Sequence, residues 1–487
     1  MDLFANNPAI MAIIKVLMSL FVGLTNPTAQ HLVALVLGIY YLNDCKSVRF
    51  TYIHFHNLIV KCKLKTLYYT FSKSRMNVDD FSREVSKLGL SLIPYDYVTL
   101  PIFFIIDDTM VEKYGKYFPA ISKLFDHAAH NGTNYLTGHC FVCLVMVIPL
   151  PDVEKGVRYV RYPVGYRLWI PEKGKELTAK GKKSKSKKTK SKKAKNTKKA
   201  KSQIEAQNNK SKFVLAVELM QLVLEPTRKF VVLADSWFPK AEVIEFVNSN
   251  PNVEAVFNVP KNTVLYDTEV PERTGLRGRP CKIGKKISIE EDFTLIDIKN
   301  TDYNVGWRMV TTNLFGKCKS VMAMVTEAKA SGSKRLYICT NPEICVVDIK
   351  FIEDETMRAI VKSIPQLACF ACYTLRWGIE IGFMEQKAYW GFSDYLLRSI
   401  KGIERLINVQ SIGYAVLCLL PWVDEQFASL KNLSIQERRY EVGRVISHQL
   451  FMGNLIRTLE SQGNSEQLIA ACRKVAEDFK YFDDTGS

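Results

Sequence analysis

Three acidic residues stand where a divalent-cation phosphoryl-transfer site could form. Asp107 closes the apolar run Pro101-Ile102-Phe103-Phe104-Ile105-Ile106 and is followed by Asp108-Thr109. Asp235 closes Phe230-Val231-Val232-Leu233-Ala234 and is followed by Ser236-Trp237. Glu380 ends the segment Tyr373-Thr374-Leu375-Arg376-Trp377-Gly378-Ile379-Glu380, and Lys387 follows seven residues on. Carboxylates are hard oxygen ligands suited to Mg²⁺ or Mn²⁺, which usually take one or two of them and leave positions for substrate phosphates. Two such ions about 4 Å apart can activate an attacking oxygen and stabilise a leaving one.

An α-helix turns about 100° per residue. With Tyr373 as origin, Arg376, Glu380 and Lys387 fall at about −60°, −20° and −40°, so one helix would project all four within roughly a 60° arc. Glu380 would hold metal, Arg376 and Lys387 would hold flanking phosphates, and Tyr373 would donate to a phosphate or stack on a base. The alternative for this segment is an exposed helix with a simple Arg376–Glu380 pair.

The elements that must carry these residues follow from periodicity. Residues 102–107, 138–149, 157–169 and 230–235 are strand-like and rich in β-branched and aromatic side chains, while 213–223 and 240–247 have helical spacing. Near-continuous apolar strands followed by helices predict an α/β layered sheet. One acid ending a buried strand is often only a cap or turn. Two of them, with the helical stripe, fit a site at the carboxyl ends of sheet strands.

The flanks differ. Residues 1–95 are predicted helical and form a candidate DNA-binding domain, with a plain helical support as the alternative. Residues 96–250 hold the first part of the core, 251–345 a β-rich insertion, 346–400 the second part of the core with the third acid, and 401–487 a helical region for dimerisation or DNA contact. Residues 174–209 are rich in Lys, Ser, Ala and Thr, and positions 180–201 carry 13 lysines and no acid. That composition cannot bury enough surface to offset its ordering entropy, so a disordered surface loop is expected. It would act either as a solvated spacer or as a salt-sensitive phosphate tether.

The chain has 487 residues and a formal charge of +18. That excess points to a polyanion such as DNA or RNA, and an acidic membrane surface would fit it equally. The apolar stretch at residues 10–24 carries Lys15 and is too short for a bilayer span of about 20 residues. It and residues 31–42 are expected to be buried helices, with no membrane. Cys140/Cys143 and Cys369/Cys372 are spaced like metal-ligand pairs. Strand alternation would put the first two thiols on opposite faces, so they are expected to be reduced core cysteines. His127, His130 and His139 are expected to be structural.

The residues together resemble the DDE transposases of bacterial insertion sequences. Tyr373, Arg376, Glu380 and Lys387 match the Y-(2)-R-(3)-E-(6)-K signature of one cut-and-paste branch at all four positions. Ile106-Asp107-Asp108-Thr109 with Lys113 and Gly115 resembles its first-acid motif. Leu233-Ala234-Asp235-Ser236-Trp237-Phe238 resembles its second. Gly278-Arg279-Pro280 with Gly284 resembles a basic loop in its β-strand insertion. The likeness covers roughly residues 100–400. The long lysine-rich segment departs from the family pattern.

The resemblance implies an RNase H-like catalytic core with an inserted β-rich domain. It implies a catalytic and metal-binding triad of Asp107, Asp235 and Glu380, with Asp108 as the alternative first acid, and two Mg²⁺ or Mn²⁺ ions per site. It implies DNA contacts from Tyr373, Arg376, Trp377, Lys387 and Arg279, with Trp377 supporting a displaced base or serving as a core aromatic. The partners implied are double-stranded DNA (terminal inverted repeats and target) and a second copy in a synaptic homodimer. The compartment implied is the bacterial cytoplasm, in association with the nucleoid. The reaction implied is strand hydrolysis at the element's end, attack of the freed 3′-OH on the opposite strand to give a hairpin, then attack on target DNA. The alternatives are an RNase H-like nuclease or domesticated protein without full transposition, and a basic nucleic-acid-binding protein whose acids are structural.

Overall fold

The computed structural model describes residues 4–5, 7–44, 46–115, 118–126, 134–171, 210–271, 281–316, 319–341, 343, 349–462 and 466–478. The lysine-rich segment 174–209, Arg279, His127 and His130 lie outside them.

The chain begins with helices α1 (Pro8–Leu20), α2 (Asn26–Tyr41), α3 (Leu64–Lys73) and α4 (Val78–Ser91), with a short helical stretch over residues 48–59. Asn7 caps α1, its Oδ1 accepting from the Ile10 amide at 2.8 Å, and Pro8 takes a first-turn position where no amide hydrogen is needed. Asn77 caps α4, whose first turn carries Asp79 and Asp80 toward the positive end of the helix dipole. Helix α2 buries its apolar residues inside the protein, and α1 does so along one face while leaving Met11 exposed.

The strands are β1 (Ile102–Glu112), β2 (Ser122–Phe125), β3 (Tyr135–Asp152) and β4 (Gly156–Trp169). Helix α5 (Lys212–Val223) leads to β5 (Phe230–Ala234), and α6 (Ala241–Ser249) to β6 (Val253–Val259). The pairs β7 (Leu265–Tyr266), β8 (Lys286–Ile287) and β9 (Ile296–Asp297) are short. Strands β10 (Tyr303–Thr312), β11 (Ser320–Ala328) and β12 (Lys334–Cys339) complete the sheet. Its order is β2-β3-β1-β5-β6-β12-β11-β10-β7-β8, with β4 beside β3 and β9 beside β10. Strand β1 runs parallel to β5, and β5 parallel to β6 through the crossover helix α6. The other pairings are antiparallel. The strands between residues 265 and 339 extend the core sheet, because β12 pairs directly with β6.

One expected boundary is corrected. Strand β1 does not stop at Asp107 but continues to Glu112. Its β5 neighbour ends at Ala234, while β3 goes on pairing from Asp107↔Cys143 to Glu112↔Gly138. The acids therefore mark the end of the parallel pair, not the end of both strands.

Beyond the sheet come α7 (Glu355–Ser363), α8 (Ala368–Thr374), α9 (Trp377–Tyr389), α10 (Ile400–Val423), α11 (Ile435–Ser461) and α12 (Glu466–Asp478). Helix α10 is long and apolar enough to cross a bilayer, but 89% of its most apolar stretch is buried by the protein. It flanks β4 and satisfies that strand's free edge. Asn408 accepts from the Tyr166 amide at 2.9 Å and donates to the Tyr166 carbonyl at 3.0 Å. Glu404 accepts from the Leu168 amide at 3.0 Å. An edge strand covered in this way cannot recruit a foreign strand.

Candidate active site

The register of β1 on β5 builds the centre. Ile106 lies opposite Ala234, so the next residue of each chain, Asp107 and Asp235, emerges at the same end of the parallel pair. The alternation of strand side chains then separates Asp107 from Asp108. Asp107 shares its face with Cys143, and Asp108 shares the other with Cys140. Cys140 donates to Asp108 Oδ2 at 3.1 Å, and Lys212 Nζ, in the first turn of α5, donates to the same oxygen at 2.8 Å. Asp108 is thus tied to the α5 side.

Helix α9 lies over the Asp107 side. Gln386 donates to the Tyr166 hydroxyl at 2.9 Å, and Phe383 packs near the same ring. Gly378 brings the first turn of α9 against β4, where a Cβ would meet the Arg161 side chain. This docking sets Arg376 and Glu380. Arg376 Nη1 donates to Asp107 Oδ2 at 2.9 Å, and Nη2 to Glu380 Oε1 at 2.6 Å. One guanidinium therefore spans the first and third acids.

The helix through the third acid is not continuous, which corrects the single-helix arc. Helix α8 ends at Thr374, and the joint to α9 uses i→i−3 bonds: Leu375 to Cys372 at 3.1 Å, Arg376 to Tyr373 at 3.0 Å and Ile379 to Arg376 at 3.1 Å. Such tight turns have about three residues each and stack i over i+3. The Arg376 guanidinium accordingly lies 5.8 Å from the centre of the Tyr373 ring. Lys387 sits two turns beyond Glu380, half-buried, and burial lowers its pKa against the opposing pull of Asp126 and Cys140. Trp377 is 59% exposed, which removes the core-aromatic reading.

The electrostatics are those of crowded carboxylates. Burial, and then the charge of Asp235, push Asp107 up to about 7, against the opposing pull of Arg376. Asp235 is also raised, chiefly by burial, while the Trp237 amide donating to its Oδ1 at 3.0 Å works the other way. Burial works against the charge of Lys212, but Cys140 and Asp108 hold its pKa above the ordinary range. Four carboxylates (Asp107, Asp108, Asp235 and Glu380) face two cations, Arg376 and Lys212. With all four ionised, the excess of two negative charges, on hard oxygen donors, fits a divalent cation such as Mg²⁺ or Mn²⁺. Among the described residues, the trio of potential ligand atoms lying within 4.8 Å of one another is not these acids but His31, His56 and Cys62. Arg376 stands between Asp107 and Glu380 instead.

The family described as DDE superfamily endonuclease matches residues 19–313. The chain belongs to that family. The matched segment of this DDE endonuclease contains Asp107 and Asp235 and ends before Glu380. No curated protein matches the chain. DDE endonucleases act on DNA and generally use divalent metals.

Lys212 and Cys140 were not singled out as site residues by the sequence, because their roles depend on how α5 and β3 pack beside Asp108. Lys212 had a faint signal as the residue after the helix cap Ser211, whose Oγ accepts from the Val214 amide at 3.1 Å. The exposed Trp237, two residues after the second acid, was legible only as part of the motif. His139, expected to be structural, has its ring nitrogens 2.7 Å from the Tyr395 hydroxyl and 2.7 Å from the Pro119 carbonyl. Lys113 anchors the same region, donating to the Tyr395 carbonyl at 3.0 Å.

Proposed function

We propose that this chain is a DNA transposase that binds the terminal inverted repeats of its element and carries out cleavage and strand transfer with Asp107, Asp235 and Glu380. The observation that carries the reading is the β1/β5 register, which sets Asp107 beside Asp235, with Glu380 joined to Asp107 through Arg376. An RNase H-like core is supported by the arrangement of β4, β3 and β1 antiparallel, then β5 and β6 parallel, with the acids at the end of the parallel pair. Of the residues expected as the family's β-rich insertion, 251–345, β6 belongs with the core strands, and the strands from 265 to 339 are read as the insertion, built onto the β6 edge.

Asp107, Asp235 and Glu380 would hold two Mg²⁺ or Mn²⁺ ions. Bound there, the ions supply charge stabilisation for the attacking and leaving oxygens of phosphoryl transfer. The chain's own part is positioning. Asp107 is assigned as first acid because Lys212 and Cys140 occupy Asp108 on the opposite face. Arg376 neutralises Asp107 and Glu380 in the metal-free state, and released from them it can take a backbone phosphate bidentately. Tyr373 and Lys387 continue that phosphate track. Trp377 and Trp237, both exposed, offer stacking faces for an unpaired base.

The N-terminal helices supply a second DNA surface. Lys61, Lys63, Lys65, Lys73 and Arg75 are exposed around the exposed Tyr69, and residues 61–75 contain no acid. Arg279 and the lysines of residues 180–201 would add phosphate contacts, making affinity fall more steeply with salt than in a chain lacking that segment. Pairing of two element ends requires at least a dimer on DNA, and the working compartment is read as the bacterial cytoplasm.

The test is a strand-transfer reaction with pre-cleaved element ends and a plasmid target. Joined products should appear with wild type and with Asp108→Asn, and be absent with Asp107→Asn. Loss with Asp108→Asn and retention with Asp107→Asn would reverse the assignment of the first acid.

A further inference from the structure

Helix α2 carries His31 in its second turn, and its Gly38 lies tight on the following helical stretch. A Cβ there would come within 2.5 Å of Thr51 Cγ2 and 3.0 Å of Phe55. That stretch contains a π-helical turn over Tyr52–His56, a widened form often found at functional positions. The turn brings the His56 ring to a centroid distance of 5.3 Å from His31, with the planes 28° apart. Tyr52 then donates to the Cys62 carbonyl at 2.7 Å and holds the loop before α3 over the two rings. One ring nitrogen of each histidine and the Cys62 sulfur all lie within 4.8 Å of one another.

The packing leaves these donors unsatisfied. His56 is fully buried, and neither of its ring nitrogens has a hydrogen-bond partner; His31 Nδ1 is likewise buried without one. Native interiors rarely leave buried polar atoms unpaired, and each such atom calls for a specific explanation such as an ion. Two imidazoles and one sulfur are a borderline-soft donor set, suited to Zn²⁺ and unlike the all-oxygen set around Asp107. Bonds of about 2.0 Å to nitrogen and 2.3 Å to sulfur in a tetrahedron place ligand atoms about 3.3–3.5 Å apart. The three atoms are thus within a small closure of that geometry.

We propose that His31, His56 and Cys62 form a zinc site with a fourth position open to water, on elements that carry none of the three acids. Burial keeps both histidines neutral, His56 down to about 4 with the charge of His31 as a second cause, so their lone pairs are available without losing a proton. Burial also raises the Cys62 thiol. Binding would therefore form a Zn–S bond and release the thiol proton to solvent. The metal would fasten the loop before α3 to α2.

The full-length protein, stripped with chelator, is titrated with Co²⁺ as a spectroscopic substitute and then with Zn²⁺. One equivalent should give the thiolate charge-transfer band and the intense visible bands of tetrahedral Co²⁺, and Zn²⁺ should displace them. Carboxylates cannot produce the thiolate band, so failure of the catalytic reading would leave this result unchanged. Cys62→Ser should abolish the band and weaken binding by more than the roughly 10–100-fold that loss of an outer-shell partner brings. Cys62 is only partly buried, so this variant keeps its fold where His56→Ala need not. Cys281→Ser, at an exposed cysteine, should change nothing. Absence of the band in wild type, or its persistence in Cys62→Ser, overturns the site.

Discussion

Replacing Asp107 by Asn should stabilise the metal-free protein at neutral and higher pH. Asp107 is pushed up to about 7 from an ordinary 3.8 by burial and by Asp235. At about 1.36 kcal/mol per pH unit, that gap corresponds to roughly 4 kcal/mol. The native state keeps this proton to higher pH than the unfolded chain does. Stability from the group is therefore fully present below about 3.8 and is lost as pH rises through about 7. An asparagine is neutral throughout and escapes that loss. In chelator, urea unfolding followed by tryptophan fluorescence should give similar stabilities for the two proteins near pH 4. The variant should gain steadily to an advantage of up to about 4 kcal/mol at pH 8. Added Mg²⁺ should then stabilise wild type at pH 8 by binding the native state, and the variant far less. A variant less stable than wild type at pH 8 in chelator would mean that the Asp107 charge is not disfavoured in the folded protein. So would a difference that stays constant from pH 4 to pH 8, because packing and not charge would then be its source.

Arg376→Ala removes the cation that opposes the rise of Asp107, so the half-maximal pH of the cleavage profile should move up by ~1 unit or more. An unmoved profile would mean that Arg376 acts only on DNA. Lys212→Met leaves Asp108 buried without its cation and should cost about 3–5 kcal/mol in denaturant unfolding at pH 8, with most recovered in Lys212→Met/Asp108→Asn. Equal losses in the single and double variants would show that the pair is not coupled.

The parts of this site that were legible in the sequence are those encoded by local pattern. The runs before Asp107 and Asp235 form β1 and β5 because continuous β-branched and aromatic residues suit strands buried on both faces. The helical character expected for residues 1–95 is borne by local signals such as the acidic first turn that opens the helix at Val78. What was not legible depends on partners. The end of β1 could not be read because residues 108–112 are held by β3, whereas β5 stops early. The break between α8 and α9 was invisible because Leu375 and Arg376 are ordinary helix formers; Tyr373 before it packs on Tyr337 of β12, and Arg376 after it bonds Asp107 of β1. Lys212 could be matched to Asp108 only once α5 had a place on the sheet.

Asp107, Asp235 and Glu380 are proposed as a metal-dependent DNA phosphoryl-transfer centre. The most direct measurement incubates the purified chain with the DNA flanking its own gene and Mg²⁺, beside Glu380→Ala, with DNA binding followed in parallel. Breaks should appear at discrete end positions, require the cation and vanish in the variant, while both proteins bind. Binding without cleavage in either protein, or cleavage that survives in Glu380→Ala, would contradict that assignment.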